Sequence, residues 1–185
     1  QIIGLQTVRE AIDHVELGKF MRRLIYDEII PDIKGGIDEL EDYADEVINR
    51  FRNPAIDHKL ESITLNSFSK FKVRVLPSLI KDMERNGKVP ERLSFVFAAL
   101  LYFYRGFGEG KQFVLKDSED VIKLMKDAWV DHDSSESKII KLCQQVMAQP
   151  IWGVDLTKYP LLISRVSEQL YAIASQGILE SLKRI

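Results

Sequence analysis

Residues 93–104 read LSFVFAALLYFY, an almost unbroken apolar run near the middle of a chain of 185 residues. A segment of this composition has no polar face, so it predicts a helix that is buried on nearly every side. The run is shorter than the roughly 20 residues needed to cross a bilayer, and Arg92 and Arg105 flank it. Its aromatic side chains are typical of a protein core. We therefore expect residues 95–104 to form the central helix of a globular domain.

The segments on both sides of this run show the spacing of amphipathic helices. Thr7 and Glu10 form a capping-box pattern, and Pro31 ends the helical pattern that follows. Residues 37–51 combine an apolar face with an acidic one, and helical spacing returns after Pro160. No convincing pair of strands and no internal repeat is present. The sequence therefore predicts a single all-α domain over residues 1–185, with about eight or nine helices around the central one.

Composition argues against several classes of function. The 26 Lys and Arg residues against 28 Asp and Glu give a net charge of -2, which offers no general attraction to nucleic acid or to an anionic membrane. Cys143 is the single cysteine, so it cannot form an intrachain disulfide or a cysteine metal cluster, and we expect a buried thiol. No signal-peptide pattern opens the sequence, which suits a protein of the reducing cytoplasm.

Residues 56–75 gather the most polar chemistry beside apolar anchors, and their spacing predicts one continuous helix. On such a helix Asn66 and Lys70 lie along the edge of the apolar face. A row at four-residue spacing drifts by about 40° per step, so Arg74 rotates onto the apolar face. A buried cation needs an anion. We therefore expect Arg74 either to pair with a carboxylate of the protein or to bind an anionic ligand together with Lys70.

The residues alone identify no complete catalytic centre. His14, His58 and His132 have no carboxylate at a spacing that demands acid–base catalysis. Residues 106–110, GFGEG, follow a helix rather than a strand, so they predict a turn and not a dinucleotide-binding loop. No histidine–cysteine cluster suits a metal ion. Two explanations remain, a helical interaction module or one half of a two-domain enzyme whose active site lies at the domain boundary.

Four segments resemble a known family. They are NSFSKFKVRVLPSL at residues 66–79, RFRNP at 50–54, IWGVDLTKYP at 151–160 and GLQTVREAIDHVELGKFMRRLIYDEIIP at 4–31. The chain resembles the C-terminal domain of the polyol-specific long-chain dehydrogenases, the mannitol dehydrogenase family, and within it the branch that reduces tagaturonate to altronate. The family signature of a lysine, an asparagine five positions later and a histidine three further does not occur here. Lys81 and Asn86 come nearest to it, and Val89 stands in place of the histidine.

This resemblance implies a role in substrate binding rather than in the chemical step. The family holds NAD in an N-terminal nucleotide-binding domain, and the absent lysine, asparagine and histidine carry the chemistry. The resemblance therefore implies no catalytic, cofactor-binding or metal-binding residue in this chain. A serine–lysine motif supplies a substrate-binding lysine, a role that falls on Lys70. Ser62 and Leu65 replace an arginine and a histidine of the mannitol dehydrogenase branch.

The remaining differences favour an anionic substrate. Asn66 stands where the mannitol dehydrogenase branch has an aspartate, and Arg74 adds a cation. The resemblance implies tagaturonate as substrate, with fructuronate and mannitol 1-phosphate as alternatives. It also implies a partner, the chain's own nucleotide-binding domain. We expect Lys70 and Arg74, with Asn66 beside Lys70, to lie on a concave surface that faces that domain, and the isolated chain to be inactive.

Overall fold

The computed structural model describes residues 2–33, 35–56, 58–108, 110–130 and 135–185. These residues form the all-α domain that the sequence predicts. The α-helices are α1 (Val8–Asp13), α2 (Val15–Arg23), α3 (Ile37–Arg52), α4 (Leu60–Ile63), α5 (Ser67–Lys70), α6 (Leu76–Asn86), α7 (Glu91–Phe103), α8 (Glu119–Trp129), α9 (Glu136–Met147), α10 (Pro160–Gln176) and α11 (Ile178–Leu182). The prediction of an all-α fold is confirmed.

Shorter elements connect these helices. A π-helical turn, Leu24–Ile29, and a 3-10 turn, Ile30–Asp32, extend α2, and a second π-helical turn, Phe71–Val75, joins α5 to α6. Two further 3-10 turns lie between α9 and α10, at Pro150–Trp152 and Leu156–Lys158. The antiparallel strands β1 (Phe107–Gly108) and β2 (Lys111–Gln112) form a hairpin that the sequence pattern did not predict. Among the described residues no helix is long and apolar enough to span a membrane.

Helix α7 is the central helix, as predicted. Phe97, Ala98 and Leu101 have no exposed surface, and α10 packs along the length of α7. The indole ring of Trp152 fills the space between Phe97 and α5, and its nitrogen donates a hydrogen bond to the Val146 carbonyl at 2.8 Å. Burial of these large side chains supplies the main driving force for folding. The core therefore lies between α5, α7, α9 and α10.

The N-terminus of α7 is held by a buried carboxylate. Glu28 accepts hydrogen bonds from the backbone N–H groups of Arg92 and Leu93, at 2.9 and 2.8 Å. The Arg92 guanidinium lies 3.2 Å from the same carboxylate, and both side chains are more than nine-tenths buried. Orphan N–H groups and the helix dipole both favour an anion at this position. Glu28 thus fixes the position of the central helix.

The predicted continuous helix over residues 56–75 is wrong. The chain forms α4, turns at residues 64–66, and begins again as α5. Asn66 has φ 54° and ψ 43°, and it is the only non-glycine residue with positive φ among those described. A single left-handed residue ends a right-handed helix, because the backbone hydrogen bonds can no longer continue across it. The break and the π-helical turn also shift the rotational phase of every later side chain.

Candidate functional site

Lys70 lies at the C-terminal end of α5 and reaches back across the turn. Its ammonium donates a hydrogen bond to the carbonyl of Ile63, the last residue of α4, at 2.8 Å. The side chain is partly exposed. An ammonium group carries three donors, and this contact uses one of them. Lys70 can therefore bind an anion with its remaining donors while the Ile63 carbonyl holds it in place.

Asn66 is linked to Lys70 through the first turn of α5. The Lys70 N–H donates to the Asn66 carbonyl at 3.1 Å, and the Asn66 N–H donates to the Lys116 carbonyl at 2.8 Å. Asn66 is exposed, and its left-handed backbone is one that asparagine adopts more readily than most residues. The structure therefore brings Asn66 and Lys70 into one short, hydrogen-bonded unit.

Arg74 does not occupy the predicted position on the buried face. Its side chain is exposed, and no carboxylate of the described residues lies within ion-pair distance of it. The prediction of a buried Arg74 assumed one unbroken helix, whereas the break at Asn66 and the π-helical turn rotate this residue outward. Among the described residues, neither an ion pair nor burial accounts for Arg74.

Two further residues hold the turn that carries Lys70, and the sequence analysis did not assign them to the site. The Tyr104 hydroxyl donates to the Asp117 Oδ2 atom at 2.6 Å. The Phe68 N–H lies 3.0 Å from the Tyr104 hydroxyl oxygen and 3.0 Å from the same Asp117 Oδ2 atom. Burial and the adjacent carboxylate raise the pKa of Tyr104 well above its usual value. Tyr104 belongs to the apolar run that predicts the central helix, and no short-range sequence pattern connects Tyr104 or Asp117 to Phe68.

Helix α4 ties this region to the beginning of the chain. Thr7 forms an antiparallel bridge with Lys59, and the Leu60 N–H donates to the Gln6 carbonyl at 2.8 Å. The Val8 N–H donates to the His58 carbonyl at 3.0 Å. A continuous series of hydrogen bonds therefore runs from the Lys70 ammonium, through α4, to residues 6–8.

Apolar side chains around α4 face solvent. Ile56, Ile63 and Leu65 are 41%, 41% and 47% exposed, although each belongs to a residue type that proteins usually bury. Neighbouring apolar residues that remain exposed commonly mark a surface that another domain or protein covers. A surface cleft of about 730 Å³ lies elsewhere, between the C-terminal end of α6, the N-terminal end of α7 and the first half of α10. A site completed by a second domain need not form a closed pocket in one domain alone.

The glycine-rich segment after α7 does not suit a dinucleotide. Gly106 and Gly110 have positive φ values and lie beside the strands of the hairpin, which among the described residues follows α7 rather than a strand and is separated from the next helix, α8, by residues 113–118. A Cβ atom on Gly108 would lie 2.7 Å from the Ile2 carbonyl oxygen, so close packing of the first residues explains this glycine. The residues present therefore do not fit the pyrophosphate of NAD.

The histidines have structural surroundings where the structure describes them. The His14 ring nitrogen lies at the N-terminus of α2, and the His58 ring packs against Phe51. His132 lies outside the described residues. No group of three or more potential metal ligands occurs in the described part of the chain. Among the described residues, the sequence-predicted residues that the structure brings together are Asn66 and Lys70.

Residues 1–174 match the mannitol dehydrogenase C-terminal domain. The chain belongs to this family. It is 42% identical over 184 residues to the altronate oxidoreductase of Bacillus subtilis (strain 168), and 37% identical over 183 residues to that of Klebsiella pneumoniae (strain 342). These matches cover 99% and 98% of the chain but only 36% and 38% of the two relatives. The chain thus corresponds to the C-terminal part of longer proteins.

A solved structure shows the same fold. The Pseudomonas fluorescens mannitol 2-dehydrogenase, in a ternary complex with NAD and D-mannitol, superposes with a TM-score of 0.84 at 21% sequence identity. The match covers 99% of this chain and 36% of that protein. The described helical arrangement is therefore shared with that mannitol dehydrogenase.

Proposed function

We propose that this mannitol dehydrogenase C-terminal domain is the substrate-binding part of an NAD-dependent oxidoreductase that reduces tagaturonate to altronate. Lys70 carries the proposal, because its ammonium is held by a carbonyl on a partly exposed surface and keeps donors for an anion. Altronate oxidoreductases at 37% to 42% identity support the choice of substrate, since they match along almost the whole chain.

The three predicted residues would act together on a sugar acid. Lys70 would donate a charge-assisted hydrogen bond to the substrate, which is stronger than a bond between neutral groups. Asn66 presents a neutral amide on the same hydrogen-bonded unit, where an aspartate would repel a carboxylate. Arg74 has no carboxylate partner among the described residues, so its charge is available to the anionic substrate. The chain itself would contribute no residue to the chemical step.

NAD would be held by a separate nucleotide-binding domain in the remaining two-thirds of the protein. The cofactor supplies the hydride for reduction, and this domain supplies substrate contacts. Ile56, Ile63 and Leu65 offer an exposed apolar surface next to α4, where such a domain would exclude water from the substrate. Lys70 and Arg74 would then line a concave cleft that opens toward the nucleotide-binding domain.

The test is a comparison of substrates on the full-length enzyme that contains this chain. We expect kcat/KM for tagaturonate with NADH to exceed that for fructuronate, and to exceed the values for mannitol 1-phosphate and D-mannitol with NAD, each by on the order of tenfold or more. A higher kcat/KM for fructuronate or mannitol 1-phosphate would contradict tagaturonate as the substrate and assign the preferred compound in its place. Absence of turnover with all four compounds would favour a helical interaction module instead.

A further inference from the structure

The N-terminus of α5 is held by side chains from two distant parts of the sequence. Phe68 is the second residue of α5, and its N–H has no acceptor within the helix. That N–H lies 3.0 Å from the Tyr104 hydroxyl and 3.0 Å from the Asp117 carboxylate, while the hydroxyl donates to the carboxylate at 2.6 Å. The three groups form a closed arrangement that fixes where α5 begins.

The same loop also holds the turn before α5. The Lys116 carbonyl accepts the Asn66 N–H, and the Lys116 ammonium lies 2.5 Å from the Glu61 carboxylate on α4. A left-handed non-glycine residue persists where surrounding contacts stabilise it. Residues 116 and 117 therefore bind both sides of the turn across which Lys70 reaches Ile63.

Contacts from outside the helix set where α5 begins. In the described structure the Asn66 side chain makes no capping hydrogen bond to α5, which continues through the π-helical turn into α6, so Tyr104 and Asp117 supply the capping contact at the Phe68 N–H instead. Tyr104 is 1% exposed and follows directly on the central helix α7. Its hydroxyl stays protonated, since burial and Asp117 raise its pKa, and it therefore remains a donor at physiological pH. The buried end of the central helix is thus connected to the turn that places Lys70.

We propose that Tyr104 and Asp117 are positioning residues for Lys70, and this inference rests on the proposed substrate role of Lys70. They touch neither the substrate nor the cofactor. Through the Phe68 N–H they set the position of α5, and so the distance between the ammonium and the substrate anion. A displacement of about 1 Å at a binding group can cost on the order of 100-fold in rate. The pair would therefore affect catalysis without contributing an atom to the site.

The experiment is a double-mutant cycle in the full-length enzyme, with tagaturonate and NADH as substrates. We expect Tyr104→Phe to lower kcat/KM for tagaturonate by on the order of tenfold, with KM for NADH unchanged. In a Lys70→Ala background Tyr104→Phe should have almost no further effect, because the group that it positions is already absent. Tyr102→Phe is the matched control, since its ring lies on the same helix and packs on Trp129 instead.

Asp117 gives an independent variant on a partly exposed loop. Asp117→Asn keeps an acceptor oxygen for the Tyr104 hydroxyl, so it should retain more activity than Asp117→Ala. If Tyr104→Phe lowers the melting temperature strongly, the comparison of Asp117→Asn with Asp117→Ala decides the proposal, because both keep the ring of Tyr104 in the core. Equal activity of these two Asp117 variants would overturn it.

The outcomes separate this inference from the proposed function. If the kcat/KM losses of Tyr104→Phe and Lys70→Ala multiply in the double variant, Tyr104 acts through a general structural effect. That result would refute the positioning role but leave the substrate role of Lys70 intact. Native kcat/KM in Tyr104→Phe would refute it as well. Native kcat/KM in Lys70→Ala would refute the substrate role of Lys70, and the positioning role with it.

Discussion

Cys143 is a thiol that its surroundings keep unreactive. It has no exposed surface in α9, and burial raises its pKa to about 12 from an ordinary value of 9.0, against a smaller lowering by the Ser167 hydroxyl. The thiolate is the nucleophilic form of cysteine, so the native thiol reacts with nothing at neutral pH. The sequence pattern predicts this burial correctly, because apolar residues at helical spacing flank the cysteine on both sides.

The Cys143 thiol should make the stability of the domain depend on pH. Because the pKa of Cys143 is higher in the folded than in the unfolded chain, the contribution of this thiol to stability is complete below pH 9 and is lost as the pH rises toward 12. The free energy of unfolding should fall by up to about 1.4 kcal/mol per pH unit from this group. Cys143→Ala should flatten that fall in urea titrations between pH 9 and 12. An identical slope in both proteins would show that the thiol is not the responsible group.

Lys70 and Arg74 show the limit of residue-level prediction. The positions of both residues were predicted from their four-residue spacing on one helix. In the structure Lys70 lies at the C-terminal end of α5, and the Arg74 side chain is exposed to solvent. The prediction of a continuous helix failed at Asn66. The N–H of this left-handed residue donates to the Lys116 carbonyl, fifty positions later in the sequence. A contact of that range leaves no trace in local periodicity. The chemical identity of the candidate residues was readable from the sequence, and their geometry was not.

Substitutions at Asn66 distinguish a left-handed turn from a continuous helix, because the two backbones reverse the order of stability of the glycine and alanine variants. In a left-handed conformation glycine is tolerated and alanine is strained by about 1–2 kcal/mol. Within a continuous helix the order reverses, because glycine is about 1 kcal/mol less favourable than alanine. We therefore expect Asn66→Ala to be less stable than Asn66→Gly by about 1 kcal/mol in urea unfolding. The reverse order would support an unbroken helix over residues 56–75.

The anchor of α7 provides a second element-scale prediction. Glu28 and Arg92 are both buried, and removing one partner of a buried ion pair typically costs about 3–5 kcal/mol. We expect Glu28→Ala to lose that amount, and Glu28→Gln to lose less because its amide oxygen still accepts a backbone N–H. Glu168→Ala is the control, since Glu168 pairs with Arg165 on the surface, where such pairs contribute about 0–1 kcal/mol. Equal losses for Glu28→Ala and Glu168→Ala would contradict the anchoring role.

The long helices were predictable from their apolar residues. Helical spacing identifies residues 37–51, an almost unbroken apolar run identifies residues 93–104, and α3 and α7 occupy these positions. Residues 60–63 and 67–70 were predicted as parts of one helix, and the break between α4 and α5 was missed because the Lys116 carbonyl that holds Asn66 is distant in the sequence. The hairpin after α7 was missed as well. The candidate residues Asn66 and Lys70 lie beside this break, so the backbone around them was not predicted.

The chain as a whole spans 36% and 38% of the length of two altronate oxidoreductases that it resembles, and its described glycines do not fit a dinucleotide. We predict that the isolated chain folds cooperatively but neither binds NADH nor turns over tagaturonate. Calorimetric titration with NADH measures this directly, with the full-length enzyme as positive control. Micromolar binding to the isolated chain would place a cofactor site within it.

The proposed role of Lys70 in binding the anionic substrate is tested by kcat/KM for tagaturonate in the full-length Lys70→Ala enzyme. Loss of a charge-assisted hydrogen bond costs about 1.5–3 kcal/mol, which corresponds to roughly 10- to 150-fold. Lys70→Arg should recover part of the loss, because a planar guanidinium restores charge but not the compact geometry of an ammonium. We predict that kcat/KM falls within that range in Lys70→Ala while KM for NADH and the melting temperature stay unchanged. A value within about twofold of native, or a loss that unfolding accounts for, would contradict the claim.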